Sequence, residues 1–314
     1  MALLDWLAPQ TLDADTRSGI ARTVASIDPL IKQVRGYERD LAPAVANCLE
    51  YCDNIAWRIP GPIEISRSAF ASDPMVHALF ASADDISRML GQSQCVRKNL
   101  SHMSCADNRC CALLGMRHRE KSGFGAAMQG DMLVRDAPRK TLFFSDHTLA
   151  ELSPDAAEAR KRLRDVLFDG IVKSIAAHVA EVRNERKELV REQAFAQARV
   201  RSSTDASPFT RQLDVLRQKL RASADALTPT RLIETIIEAF FDPPPYLSMT
   251  SVNICVDRSG VIHEGAAANG DDISFSELSG RDKRRWVVLL AHIDRDEARD
   301  ALERHEQSDR NIVI

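Results

Sequence analysis

The sequence predicts a mainly α protein with α+β parts. It reads as an elongated helical bundle or coiled-coil scaffold with an inserted small antiparallel sheet and a small C-terminal α+β module. Three observations predict this. Apolar residues at Ile20, Val24, Ile27, Ile31, Val34, Leu41, Val45, Cys48, Cys52 and Ile55 recur in steps of four and three, with Glu38 in the one polar slot. A 3.5-residue period lays a narrow apolar seam along one side of a helix, and that seam must be buried against another helix. A second helical pattern, starting at Ser153-Pro154-Asp155, meets no breaker except Gly170 until Ser202-Ser203-Thr204; it spans about 50 residues, or roughly 75 Å. Aromatic residues are scarce, at 5% of the chain, which suits a helical composition.

The first helical region covers residues 16–57. Asp28-Pro29 reads as a cap followed by proline at the first helical position, so a break or sharp bend is expected there, and Pro43 should kink the pattern. The apolar register survives both prolines, which favours a bent but continuous packing face. Pro60-Gly61-Pro62 ends it. Short helices follow, one at Asp73-Pro74 and one over residues 84–90. Three strands are then expected at 111–119, 124–135 and 140–145, with turns at Gly123-Phe124-Gly125 and Ala137-Pro138.

The long second helix has two different halves. Leu163, Val166, Leu167, Ile171, Val172, Ile175 and Val179 form a broad face suited to a bundle. After Glu181 the helix is mostly charged, and Val182, Leu189 and Val190 leave only a thin seam, the pattern of a solvated arm or a coiled-coil partner. Further helices start at Ser207-Pro208 and Thr228-Pro229, and Asp242-Pro243-Pro244-Pro245 stops the second. Beyond it, strands at 251–256 and 261–264 flank the turn Asp257-Arg258-Ser259-Gly260. A third strand is expected at 273–278. The apolar run 286–293 fits a strand or a helix equally by period. The expected divisions are 1–62, 63–150, 151–242 and 246–314.

Composition narrows the function classes. A formal net charge of −3 and few aromatics argue against a nucleic-acid binder. No apolar run approaches the roughly 20 residues that cross a bilayer. The opening residues, including Leu3, Leu4, Trp6 and Leu7, lack a basic flank and read as a short core-capping helix rather than a signal or a membrane-docking turn. Seven cysteines in no secreted spacing point to the reducing cytoplasm.

Candidate chemistry concentrates between Cys95 and His118. His102, Cys105, Cys110 and His118 offer four ligands of the kind zinc takes in a tetrahedron, although the spacing is not that of two CxxC pairs. Cys110 and Cys111 should point to opposite strand faces, so only one can join a given site. Cys48 and Cys52 sit on one helix face but belong to the apolar seam, and Cys255 lies in an apolar strand. Ser145-Asp146-His147, read as a loop at a strand end, could supply a general base, but sequence neighbours rarely form a triad, and turn and helix-entry chemistry is the expected role of Asp146 and His147. The basic clusters at 160–164 and 281–286 read as solvated faces. No phosphate-binding glycine loop or metalloprotease motif is present. The expected function is a cytoplasmic, non-enzymatic adaptor or assembly subunit that needs no cofactor. It would use its helical arm, through Val182, Leu189 and Val190, for a protein partner or self-association. The alternatives are a zinc-binding or redox sensor and an enzyme using His147.

Overall fold

The computed structural model describes residues 12–103, 108–129, 132–202, 207–263 and 270–312. The chain divides into two compact units. One comprises Met1–Cys52 and Val166–Leu247, the other Asp53–Asp165 and Ser248–Ile314.

The first unit is helical. The first helical region breaks at Asp28-Pro29 into two helices, α1 (Ala14–Ile27) and α2 (Tyr37–Arg58), joined by a 3-10 turn at Pro29–Gln33. The break has a local cause. The Asp28 carboxylate accepts from the Leu30 amide, and Pro29 starts the turn, while Gly36 takes a φ of 83° that suits glycine. The chain reverses there: the Cα of Gly19 on α1 faces the side chains of Val45 and Leu49 on α2. The seam is buried, with Ile20, Val24, Ile31, Leu41, Val45, Cys48 and Cys52 at 2% exposure or less. Its two halves thus line the inside of a helical hairpin rather than one long coiled-coil face. Pro43 lies within α2, on its exposed side.

The long helix is as expected: α7 (Ala156–Ser202) has 47 residues. Asp155 caps it, accepting from the Glu158 amide at 2.8 Å. The remaining helices of this unit are α8 (Ser207–Ala226) and α9 (Pro229–Phe241). Phe168 of α7 and Phe240 of α9 meet at 5.5 Å between ring centroids, and Asn47 donates to the Phe240 carbonyl at 2.8 Å.

The second unit overturns the expected small inserted sheet and separate C-terminal module. Strands β1 (Ile63–Glu64), β2 (Arg109–Gln129), β3 (Met132–Ser153), β4 (Leu247–Val256), β5 (Ile262–His263), β6 (Asp271–Gly280) and β7 (Arg285–Asp294) form one sheet of seven. Its order is β3-β2-β7-β6-β4-β5, with β1 parallel to β7 and the other described pairings antiparallel. The ambiguous apolar run is therefore strand β7. It pairs with β2 from Cys110↔Ile293 to Met116↔Val287, which joins the two halves of the sequence. The sheet also curls. Thr141 of β3 bridges Val261 beside β5, and the Leu142 amide donates to the Gly260 carbonyl at 2.8 Å.

One face of this sheet is the unit's core. Cys110, Ala112, Leu114 and Met116 of β2, Leu142 and Phe144 of β3, Phe275 of β6 and Val287, Leu289, Ala291 and Ile293 of β7 belong to a single buried cluster. The cluster also takes residues from α3 (Arg67–Ser72), α4 (Pro74–Leu79), α5 (Ala83–Gln92), α6 (Gln94–Asn99) and α10 (Arg295–Ile312). Helices α5 and α10 come close because position 91 is glycine; a Cβ there would stand 2.6 Å from the Ala301 carbonyl oxygen.

The three expected strands between 111 and 145 are two long ones. Gly123 pairs with Arg139, Phe124 with Pro138 and Gly125 with Ala137, so the supposed turn residues face one another across the ladder. Proline is tolerated because β3 ends the strand order, where a missing N–H costs no ladder bond. Three register shifts put one extra residue each on β3.

Candidate functional site

The cysteine and histidine candidates are dispersed. Cys95 is half-buried, and its sulfur accepts from the Leu152 amide at 3.3 Å. His102 is exposed in the turn after α6. Cys105 lies outside the described residues. Cys110 is disulfide-bonded. His118 shares the inner face of β2 with Cys110 but stands eight residues along the strand, which is about 26 Å. The structure does not bring these two into one coordination sphere. Among the described residues, no three His, Cys, Asp or Glu groups stand together as a metal would require. Cys48 and Cys52 are buried in the first unit's core, and the hydrogen bond to Cys52 together with burial raises the Cys48 pKa.

His118 has a different role. Its Nδ1 lies 2.7 Å from Glu277 Oε1, and its Nε2 lies 3.5 Å from Glu120 Oε1. Lys140 approaches Glu120 at 3.9 Å, and Arg285 approaches Glu277 at 3.8 Å. The result is a row of ionisable side chains, Lys140–Glu120–His118–Glu277–Arg285, where the apolar inner face of the sheet gives out. The Phe275 ring stands edge-on to the imidazole at 5.5 Å. Each carboxylate has cationic or imidazole neighbours, while His118 Nε2 is buried without a hydrogen-bond partner among the described residues.

His147 is not in a loop. It belongs to β3, beside a bulge in which Asp146 takes a φ of 58°. Its Nε2 meets the Leu79 carbonyl at 2.8 Å, and its ring stacks on Phe80. Burial lowers its pKa, which favours the neutral imidazole whose N–H donates to that carbonyl.

The helical arm holds the more open site. Leu189 and Ala196 of α7 pack on Leu213 and Leu216 of α8 in a small core of their own, flanked by Val200 and Leu220. Leu189 is thus 7% exposed, whereas Val190 is 49% exposed. Val182 is half-buried. Beside this core runs a groove of about 650 Å³ lined by Arg183, Arg186, Lys187, Val190, Arg191 and Leu227. Arg183 is held at 2.5 Å by Asp28, and Arg191 at 2.6 Å by the exposed Glu188. Among the described residues, Arg186 and Lys187 have no ion-pair partner. Sequence reasoning found the seam but missed the groove. The signal was there in four cations at 183, 186, 187 and 191, which a helix brings to one side.

No protein-family description, no curated protein and no solved structure matches the chain.

Proposed function

We propose that this chain is a non-enzymatic interaction protein, an adaptor or assembly subunit, whose α7 arm receives an acidic amphipathic helix of a partner protein. The carrying observation is the groove itself. Four cations surround two apolar side chains, Val190 and Leu227, and no carboxylate is among the described lining residues. An amphipathic helix docks by laying apolar anchors into such a groove. Acidic flanks on that helix match the cations and raise the encounter rate.

We place the protein in the cytoplasm. No helix of the described residues is long and apolar enough to cross a membrane. The free thiols of Cys48, Cys52, Cys95, Cys111 and Cys255 support a reducing compartment, with the disulfide at Cys110 as the exception. The test is quantitative affinity purification of the parent and of an Arg186→Glu/Lys187→Glu variant from the native cell. Both side chains are exposed, so the fold should tolerate the change. Loss of a stoichiometric partner only in the variant supports the reading; the same partner at the same yield refutes it.

A further inference from the structure

A second surface, in the other unit, carries its own ligand chemistry. Strand β2 pairs with β7 only as far as Met116. Beyond that point β2 and β3 continue as a two-stranded ribbon. The inner face of β2 is fixed by Leu114, Met116 and His118, so alternation places Arg117, Arg119 and Lys121 on the outer face. Arg139 joins them: it pairs with Gly123, and its side chain lies across Gly125. The aromatic residues of this face are Phe143, directly opposite Arg119 and 41% exposed, and Trp286 of β7, over which the Arg117 guanidinium sits at 4.6 Å. Trp286 ends the basic run 281–286 that the sequence singled out, and it is the residue of that run that meets Arg117 on this face. Among the described residues, the carboxylate paired with these cations is Asp146, shared between Arg117 at 3.7 Å and Arg119 at 3.9 Å. Among the described residues, Lys121 and Arg139 have no ion-pair partner. Gly123 leaves open space above the ribbon.

We infer that this outer face binds single-stranded nucleic acid. Cations on alternate residues of a strand recur every ~6.6 Å, close to the phosphate spacing of an extended single strand. The exposed Phe143 ring beside such a row offers a face on which an unpaired base stacks, and Gly123 leaves room for the chain to approach the backbone. A duplex cannot use the stacking half of this surface. The net charge of −3 is a sum over the whole chain and does not show this local cluster. This inference is independent of the α7 groove, which shares no residue with it.

The experiment is fluorescence anisotropy of the full chain with a labelled oligothymidylate, its oligouridylate counterpart and a mixed-sequence duplex, over a range of salt. Four phosphate contacts give a slope of log K against log salt of about −3. Lys121→Ala/Arg139→Ala should reduce that slope by about 1.4. Phe143→Ala should weaken single-strand binding by about tenfold through lost stacking while leaving the slope alone. All three side chains are at least partly exposed, and an unchanged melting temperature verifies the fold. A preference for oligouridylate over oligothymidylate, or the reverse, assigns the ligand to RNA or DNA within the proposal. Absence of salt-dependent binding, tighter binding to the duplex, or a double variant that binds like the parent overturns it. Equal competition by polyglutamate also overturns it, since that result means charge alone.

Discussion

Arg160 shows how much a single side chain can do unseen. Its guanidinium donates to the carbonyls of Ala56, Ile59 and Gly61, at 2.6, 3.2 and 3.2 Å, and approaches that of Trp57 at 3.3 Å. These groups lie at the end of α2, where the last carbonyls have no partner within the helix. The same guanidinium sits 5.1 Å from the centre of the Trp57 ring. Removing it strands several acceptors at once, and hydrogen bonds involving a charged group contribute about 1.5–3 kcal/mol. Arg160→Ala should therefore lower unfolding free energy by about 2–3 kcal/mol in urea titration, and Arg160→Lys should recover only part of it because a single ammonium cannot span the carbonyls. The sequence shows Arg160 only as part of a basic run. Its acceptors lie about a hundred positions upstream, beyond any local pattern. His118 is similar: its alternation with Leu114 and Met116 places it on the inner face, but Glu277 lies 159 positions away.

At the scale of elements, chemistry local to the chain was legible. Asp73-Pro74 and Thr228-Pro229 begin helices as read, and α7 has nearly its expected length. Two elements were misread for physical reasons. Periodicity reports a buried stripe but not whether the helix carrying it is continuous, so the seam survived the reversal between Ile27 and Tyr37. Glycine and proline signal turns, yet Gly123 and Gly125 of β2 and Pro138 of the edge strand β3 mark the ribbon's mid-section. The thin seam after Glu181 was also assigned to a partner, although α8 covers part of it. This makes two adjacent residues behave differently. Leu189→Asp buries a charge in a core of only four residues, at a cost of about 3 kcal/mol or more. Hydrogen exchange should then show α8 losing its protection. Val190→Asp, at an exposed site, should leave that protection within error while altering the groove.

At the scale of the molecule, topology is what a local reading cannot supply. Each unit is assembled from two separated stretches of chain, and β7 reaches back to pair with β2 across more than half the sequence. The sheet is therefore large and single where local signals suggested two small ones. The Thr141↔Val261 bridge that curls it depends on the same long-range pairing. The function proposed here also rests on assembly, because Leu227 joins the cations of α7 only in the folded chain. The most direct test is site-specific photo-crosslinking in the native cell, with benzoylphenylalanine at position 190 in the groove and, as a control, at Lys219 on the exposed side of α8. The account predicts one dominant adduct from position 190, absent from position 219, whose crosslinked peptide is an acidic amphipathic helix. Identical adducts from both positions, or a position 190 peptide without acidic residues, would contradict it.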